Sequence, residues 1–321
     1  MNHYLVGDIG GTNARFGLST IEGGEVFGIE TFKGEDYPSL YDSVKTFLSK
    51  AQCTVLPKRA CFAVASPILG DRVDFTNSSW SFSTSQLKSQ LGLEKLKVIN
   101  DFEAIACSIP FLTETDKFQI GGRAENLSKP LAILGPGTGL GMAGLIPYKN
   151  SFIPLPTEGG HAAFCPSTPR EEAIKKVLEK KYGFVSNETL LSGSGLLLIY
   201  KTLSSLENHS PKAESNEELA ELFASGNDVL ALEAYQIFFG IMGSIAGDFA
   251  LQTGAQGGVY IGGGIAPRYL DAIVNSDFRK RFESKGRFQS YVEDIACHII
   301  TAEQPGLIGA SAVLDDEGDQ Y

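Results

Sequence analysis

Two acidic residues, each among short polar neighbours, are placed where they could do chemistry. Asp8 lies in Gly7-Asp8-Ile9-Gly10-Gly11-Thr12-Asn13, directly after the apolar run 4–6. Gly10 and Gly11 would leave backbone N–H groups uncovered, able to converge on one cluster of phosphate oxygens. A carboxylate beside them suits Mg2+, which takes one or two carboxylates and completes its shell with water and phosphate oxygens. Asp101 follows the apolar run 96–99 and Asn100. A polar pair at the carboxyl end of a strand is where α/β proteins place ligands. Each stretch also has a plainer reading. A hairpin needs glycines for its turn alone, and Asn100 with Glu103 three residues on is a capping-box pattern, with Asp101 favourable to the helix dipole. Further along, Glu158 and His161 stand three apart in a polar loop, a spacing that an ordinary surface turn shares.

The elements that would carry these groups are legible from periodicity. Strand, glycine turn and strand are predicted over 4–6, 10–13 and 14–19. The same sequence of elements recurs over 131–134, Gly135-Pro136-Gly137-Thr138-Gly139-Leu140-Gly141 and 142–146. This internal repeat implies a duplicated architecture. A third glycine turn, Gly262-Gly263-Gly264-Ile265, follows a strand and opens a helix. Other strands are predicted at 29–32, 60–65, 73–76, 96–99 and 296–300. Helices are predicted at 40–51, 83–91, 102–108, 169–182, 196–206, 217–224, 229–255 and 306–314. The polar stretch 112–130 is read as a domain junction. No GxxxxGK[ST] occurs, which excludes a P-loop, and no helix follows Gly11 as a dinucleotide fingerprint requires.

Composition narrows the class. The 321 residues carry a net charge of −11, which argues against nucleic acid and against an anionic membrane surface as partners. The chain shows no leader pattern. The apolar stretch 229–255 is interrupted by Glu233, Gln236, Asp248 and Gln252, so a buried core helix is expected rather than a span. The five cysteines, 53, 61, 107, 165 and 297, form no CxxC pair, which points to reduced thiols in the cytoplasm and no zinc site. Three glycine-rich turns at strand ends suggest a nucleotide gripped by N–H groups, hydroxyls and Mg2+.

In its motifs the chain resembles bacterial glucokinase of the non-ROK type, within the actin/hexokinase superfamily. The resemblance runs through LVGDIGGTNARF, INDFEAIA, GPGTGLG, TEGGH, LLSGSGL, GGVYIGGGIAPR and PGLIGA, and INDF and EGGH together with SNETLLSG narrow it to glucokinase. A ROK member would carry a cysteine-rich zinc motif after its EGH element, where this chain has only Cys165. The resemblance implies an α/β, two-lobed actin-like/hexokinase (ribonuclease H-like) ATPase fold with a central cleft that closes on sugar. It implies a small domain over 1–110 plus 301–321 and a large one over 111–300. It implies ATP-dependent phosphorylation of glucose to glucose 6-phosphate, with ATP and Mg2+, in a cytoplasmic homodimer. By the same resemblance, Gly7, Asp8, Ile9, Gly10, Gly11 and Thr12 form the first phosphate turn, with Asp8 near Mg2+. Gly137 and Thr138 form the second, and Gly262, Gly263, Gly264 and Ile265 face the adenosine. Asn100, Asp101, Glu158, His161 and Glu188 contact glucose, and Asp101 is the catalytic base. The chain departs from the family pattern at Thr157, Ala163 and Ser194, none of them a reacting group. Another hexose or amino sugar as substrate, or an actin-like ATPase without a sugar, stands as the alternative.

Overall fold

Apolar runs that break at glycines build two large sheets in this computed structural model, which describes residues 3–20, 25–51, 55–75 and 80–314. Thr76, the expected end of one strand, and Cys53 lie outside the described residues. The described residues fall into two units, one within 1–116, 148–156 and 302–321, the other within 117–147 and 157–301.

The first unit contains β1 (Tyr4–Ile9), β2 (Asn13–Ser19), β3 (Phe27–Lys33), β4 (Arg59–Val64), β5 (Arg72–Asp74), β6 (Ser81–Ser83) and β7 (Lys95–Asn100). Five of them form a sheet in the order β3-β2-β1-β4-β7, and β5 and β6 pair separately. The three strands β1, β4 and β7 are parallel, with Ile9 opposite Val64 and Val64 opposite Asn100. Their carboxyl ends therefore line up. Strands buried on both faces read as continuous apolar runs, as β4 does. On one face Phe16, Val44, Phe47 and Phe62 form a core. On the other, Leu307, Ala310 and Leu314 pack on Val6, Cys61, Ala63 and Ala104. Helix Pro305–Ala312 comes so close to helix Asp101–Ser108 that a Cβ on Gly309 would stand 1.7 Å from the Ala104 carbonyl oxygen.

In the second unit, β8 (Lys117–Gly121), β9 (Leu131–Pro136), β10 (Leu140–Tyr148), β12 (Gly258–Ile261) and β13 (Cys297–Ile300) follow the order β10-β9-β12-β13-β8. Strand β11 (Ser151–Thr157) comes after β10 in the chain. Here too a hairpin leads into parallel strands, β9, β12 and β13. The run β2-β1-β4-β7 and the run β10-β9-β12-β13 thus share one topology, the duplication that the two glycine hairpins implied. Helix Val229–Thr253 is long and apolar enough to cross a membrane by composition. Most of its residues are instead buried in this unit's core, where Tyr235, Phe238, Phe239, Met242 and Phe249 pack on strands and neighbouring helices.

Three details differ from the sequence reading. Strand β8 lies in the stretch read as a junction, because it is an edge strand with Phe118 and Gln119 both exposed. Strand β11 carries Pro154 and Pro156, which deny the ladder two donors and read as loop. After Ile265 the chain makes a 3-10 turn, Ala266–Tyr269, and the short helix Leu270–Val274 rather than one continuous helix.

Candidate active site

In the first unit, polar groups gather at the aligned strand ends. The β1–β2 turn is closed by the Gly10 N–H donating to the Asn13 carbonyl at 2.9 Å. The Gly10 N–H is therefore spent within the turn, contrary to the expectation that it stands uncovered. Gly11 and exposed Thr12 offer the N–H groups that this bond does not use. Gly7 has a packing reason of its own, since a Cβ there would stand 2.8 Å from the Phe62 ring, and the Ile9 side chain is wholly in the core.

Asp8 projects beside this turn. Its carboxylate meets the Arg15 guanidinium at 3.4 Å and keeps 26% of its surface exposed. Burial raises its pKa above the ordinary aspartate range, and Arg15 offsets part of that rise. Helix Pro305–Ala312 begins against it, with Gly306 so near that a Cβ would stand 3.3 Å from the Asp8 carboxyl carbon. Among the described residues no three His, Cys, Asp or Glu side chains converge as a metal cluster. An ion here would lean on one or two carboxylates and on ligand oxygens, which is how Mg2+ binds.

Asn100 ends β7 and caps the next helix, its Oδ1 accepting from the N–H groups of Phe102 at 2.9 Å and Glu103 at 3.4 Å. Asp101 is the first helical residue, and its Oδ1 also accepts from the Phe102 N–H, at 2.9 Å. Desolvation, followed by the charge of Asp8, pushes the Asp101 carboxyl up to about 6, against the pull of these backbone donors. Glu103, which sequence reasoning used only as a capping residue, is raised by burial as well.

In the second unit the two remaining glycine turns come together. The tip of the β9–β10 hairpin is closed by the Gly137 N–H donating to the Gly139 carbonyl at 2.8 Å. The Gly193 N–H, at the start of helix Gly193–Leu206, donates to the Gly137 carbonyl at 2.9 Å. Gly263 has φ +78°, and a Cβ there would stand 2.6 Å from the Pro136 carbonyl oxygen. A Cβ on Gly135 would be 2.5 Å from the Gly262 carbonyl carbon. These glycines are required for close approach of the two turns. Gly137 and Gly264 are different, because a Cβ on either meets nothing within 4 Å. Thr138 is exposed at the hairpin tip, and Ile265 packs partly against the core.

Glu158, His161 and Glu188 belong to the same neighbourhood. Glu158 and His161 flank a 3-10 turn, their side chains 3.9 Å apart and both 64% exposed. A Cβ on Gly160 would stand 2.3 Å from the Leu140 carbonyl oxygen, so this turn is pressed onto the hairpin next to its tip. The Asn187 amide reaches back to the Gly159 carbonyl at 3.1 Å. Glu188 follows, and its Oε2 accepts from the Leu140 N–H at 2.8 Å. Arg15, Gly193, Asn187 and Gly306 lie within recognised motifs, but no local pattern assigned them a role.

Comparison with known proteins is consistent along the chain. The glucokinase family profile matches residues 5–317. A glucokinase of Aromatoleum aromaticum is 44% identical over 97% of this chain and 94% of its own length. The crystal structure of a glucokinase from an Antarctic psychrotroph superposes with a TM-score of 0.90 at 35% identity, covering 98% of this chain and 99% of that one. A Balamuthia mandrillaris glucokinase solved with glucose shares the fold, with a TM-score of 0.77 at 23% identity, over 98% of this chain and 93% of its own.

Proposed function

The chain belongs to the glucokinase family, whose reaction is the ATP-dependent phosphorylation of glucose, and we propose how its residues divide that work. Asp101 is the general base. A carboxyl with a pKa of about 6 is ionised at neutral pH, and it accepts a proton more readily than an ordinary aspartate. It takes the proton of the glucose 6-hydroxyl as that oxygen forms its bond to the γ-phosphorus. The bond from the γ-phosphorus to the bridging oxygen breaks, and ADP leaves with that electron pair. The Asp101 carboxylate at the aligned strand ends is the observation that carries this reading.

Asn100, Glu158, His161 and Glu188 would bind sugar hydroxyls, supplying both donors and acceptors. The N–H groups of Gly11, Thr12 and Thr138 would meet phosphate oxygens. The open space at Gly137 and Gly264 leaves the backbone approachable by ATP. Asp8 fits Mg2+, being a desolvated carboxylate that bears on a second one. The ion would spread the charge of the β- and γ-phosphates. A homodimer and a cytoplasmic location, carried over from the family, complete the reading.

An ADP-release assay with Mg-ATP and a panel of hexoses and amino sugars tests it. Turnover that is fastest with glucose and needs sugar is expected. A faster amino sugar or another hexose would move the assignment within the superfamily, and sugar-independent turnover would replace the kinase reading with an ATPase.

A further inference from the structure

We propose that Gly139, in the hairpin read as a phosphate turn, is a positioning residue for the sugar. Its missing side chain leaves the room in which the Glu188 carboxylate sits. The proposal rests on the reading of Glu188 as a glucose contact.

The geometry is specific. Glu188 Oε2 accepts from the Leu140 N–H at 2.8 Å. A Cβ on Gly139 would stand 2.4 Å from that same oxygen and 3.2 Å from the Glu188 carboxyl carbon. No real side chain tolerates the first distance, so an alanine at 139 must displace the carboxylate. The displacement is local. Gly139 does not have a positive φ, so no left-handed strain opposes a side chain there. The atom in the way is the far end of a flexible side chain.

The Glu188 backbone cannot follow such a displacement. Its helix, Asn187–Leu190, is closed by a capping box in which Ser186 and Thr189 each satisfy the other's N–H. The Asn187 amide is bound to the Gly159 carbonyl, and the Asn187 N–H donates to the Ala162 carbonyl at 2.9 Å. Only the Glu188 side chain is free to move, and it moves away from Leu140. The glycines of the turn thus divide their duties. A Cβ on Gly137 would meet open space, whereas one on Gly139 would meet the carboxylate assigned to the sugar.

Steady-state kinetics on Gly139→Ala, Glu188→Ala and the double variant decide the matter, because sites acting through one contact are non-additive. Gly139→Ala is expected to raise KM for glucose about tenfold while KM for ATP stays within about threefold. The double variant should match Glu188→Ala alone, since the space at 139 is then vacant. Additive losses, or a rise confined to KM for ATP, would overturn the proposal. Should Gly139→Ala fail to fold, a folded double variant still supports the steric link, whereas an unfolded one shows that the turn itself needs the glycine and overturns it. If Glu188→Ala leaves KM for glucose unchanged, the Glu188 reading fails and takes this proposal with it.

Discussion

Asp8 and Asp101 stand at the carboxyl ends of the two strands that flank β4, and the charge on the first raises the proton affinity of the second. Both carboxyls titrate above the ordinary aspartate range, and burial is the leading cause for each. A pair of this kind is held in place at the expense of stability.

Asp101→Asn should therefore separate catalysis from stability. The amide keeps the oxygen that accepts from Phe102 N–H but has almost no basicity. We expect kcat to fall by about 10²-fold to 10⁴-fold. The folded state binds more protons than the unfolded one between the ordinary aspartate pKa of 3.8 and about 6, so stability declines as pH rises through that window. The variant removes this loss, worth roughly 3 kcal/mol at pH 7.5 for a carboxyl moved from 3.8 to about 6, less the weaker hydrogen bond the amide accepts from the Phe102 N–H. Calorimetric melting and kcat on the one variant check both. A helix-dipole role alone would give a small destabilisation and near-normal turnover.

The same pair sets the pH profile. With ATP kept far below its own KM, so that the free protein is the reference, kcat/KM for glucose should lose activity on the acid side with an apparent pKa near 6, the value for Asp101 in the free protein. Asp8→Asn removes the neighbouring charge and should move the Asp101 titration to lower pH. Carboxyl-carbon NMR titration of the ligand-free protein reads this directly, and an unmoved Asp101 would break the link.

The glycine turns predict opposite outcomes for one substitution. Gly137→Val places its Cβ where nothing stands within 4 Å, so the fold should survive and ATP affinity should fall at least about tenfold. Gly263→Val combines φ +78° with a contact of 2.6 Å to the Pro136 carbonyl, and should lose about 1 to 3 kcal/mol of stability. Isothermal calorimetry and thermal melting distinguish the two. Unchanged ATP affinity in folded Gly137→Val would remove that residue from the site.

A buried ion pair gives a test away from the site. Glu171 is 1% exposed and holds Arg281 at 2.7 Å, while the Arg281 Nε donates to the Ser244 hydroxyl at 2.9 Å. The contacts tie helices Pro169–Tyr182, Val229–Thr253 and Phe278–Glu283 together. Glu171→Gln strands the guanidinium and should lose about 3 kcal/mol. Replacing both residues by Met should recover part of the loss in urea denaturation.

Local signals made much of this legible. Gly10-Gly11 and the run 135–141 announced their hairpins, and Asn100 announced its helix start, because turns and caps depend on neighbours in sequence. Asp101 could be located for the same reason. What lay hidden depends on partners far along the chain. The Glu188 contact with Leu140 spans 48 residues, so nothing near Glu188 encodes it. Gly137 was legible as part of a glycine turn, but the open space a Cβ there would meet is set by residues distant in sequence. β11 was masked by prolines, and β8 by an exposed edge whose pairing with β13 lies far downstream.

The packing of helix Pro305–Ala312 against β1 also bears on biosynthesis. The Ser311 hydroxyl bonds the Ser19 hydroxyl at 2.7 Å across 292 residues, and Gly306 closes on Asp8. At about 5 to 20 residues per second of synthesis, β1 waits tens of seconds for that helix to be made. During that wait the nascent chain exposes Val6, Cys61 and Ala63, the face the helix will cover. Chaperone binding to stalled chains carrying a C-terminal linker long enough to clear the ribosome should therefore persist after β13 has emerged and end when residues 305–312 do.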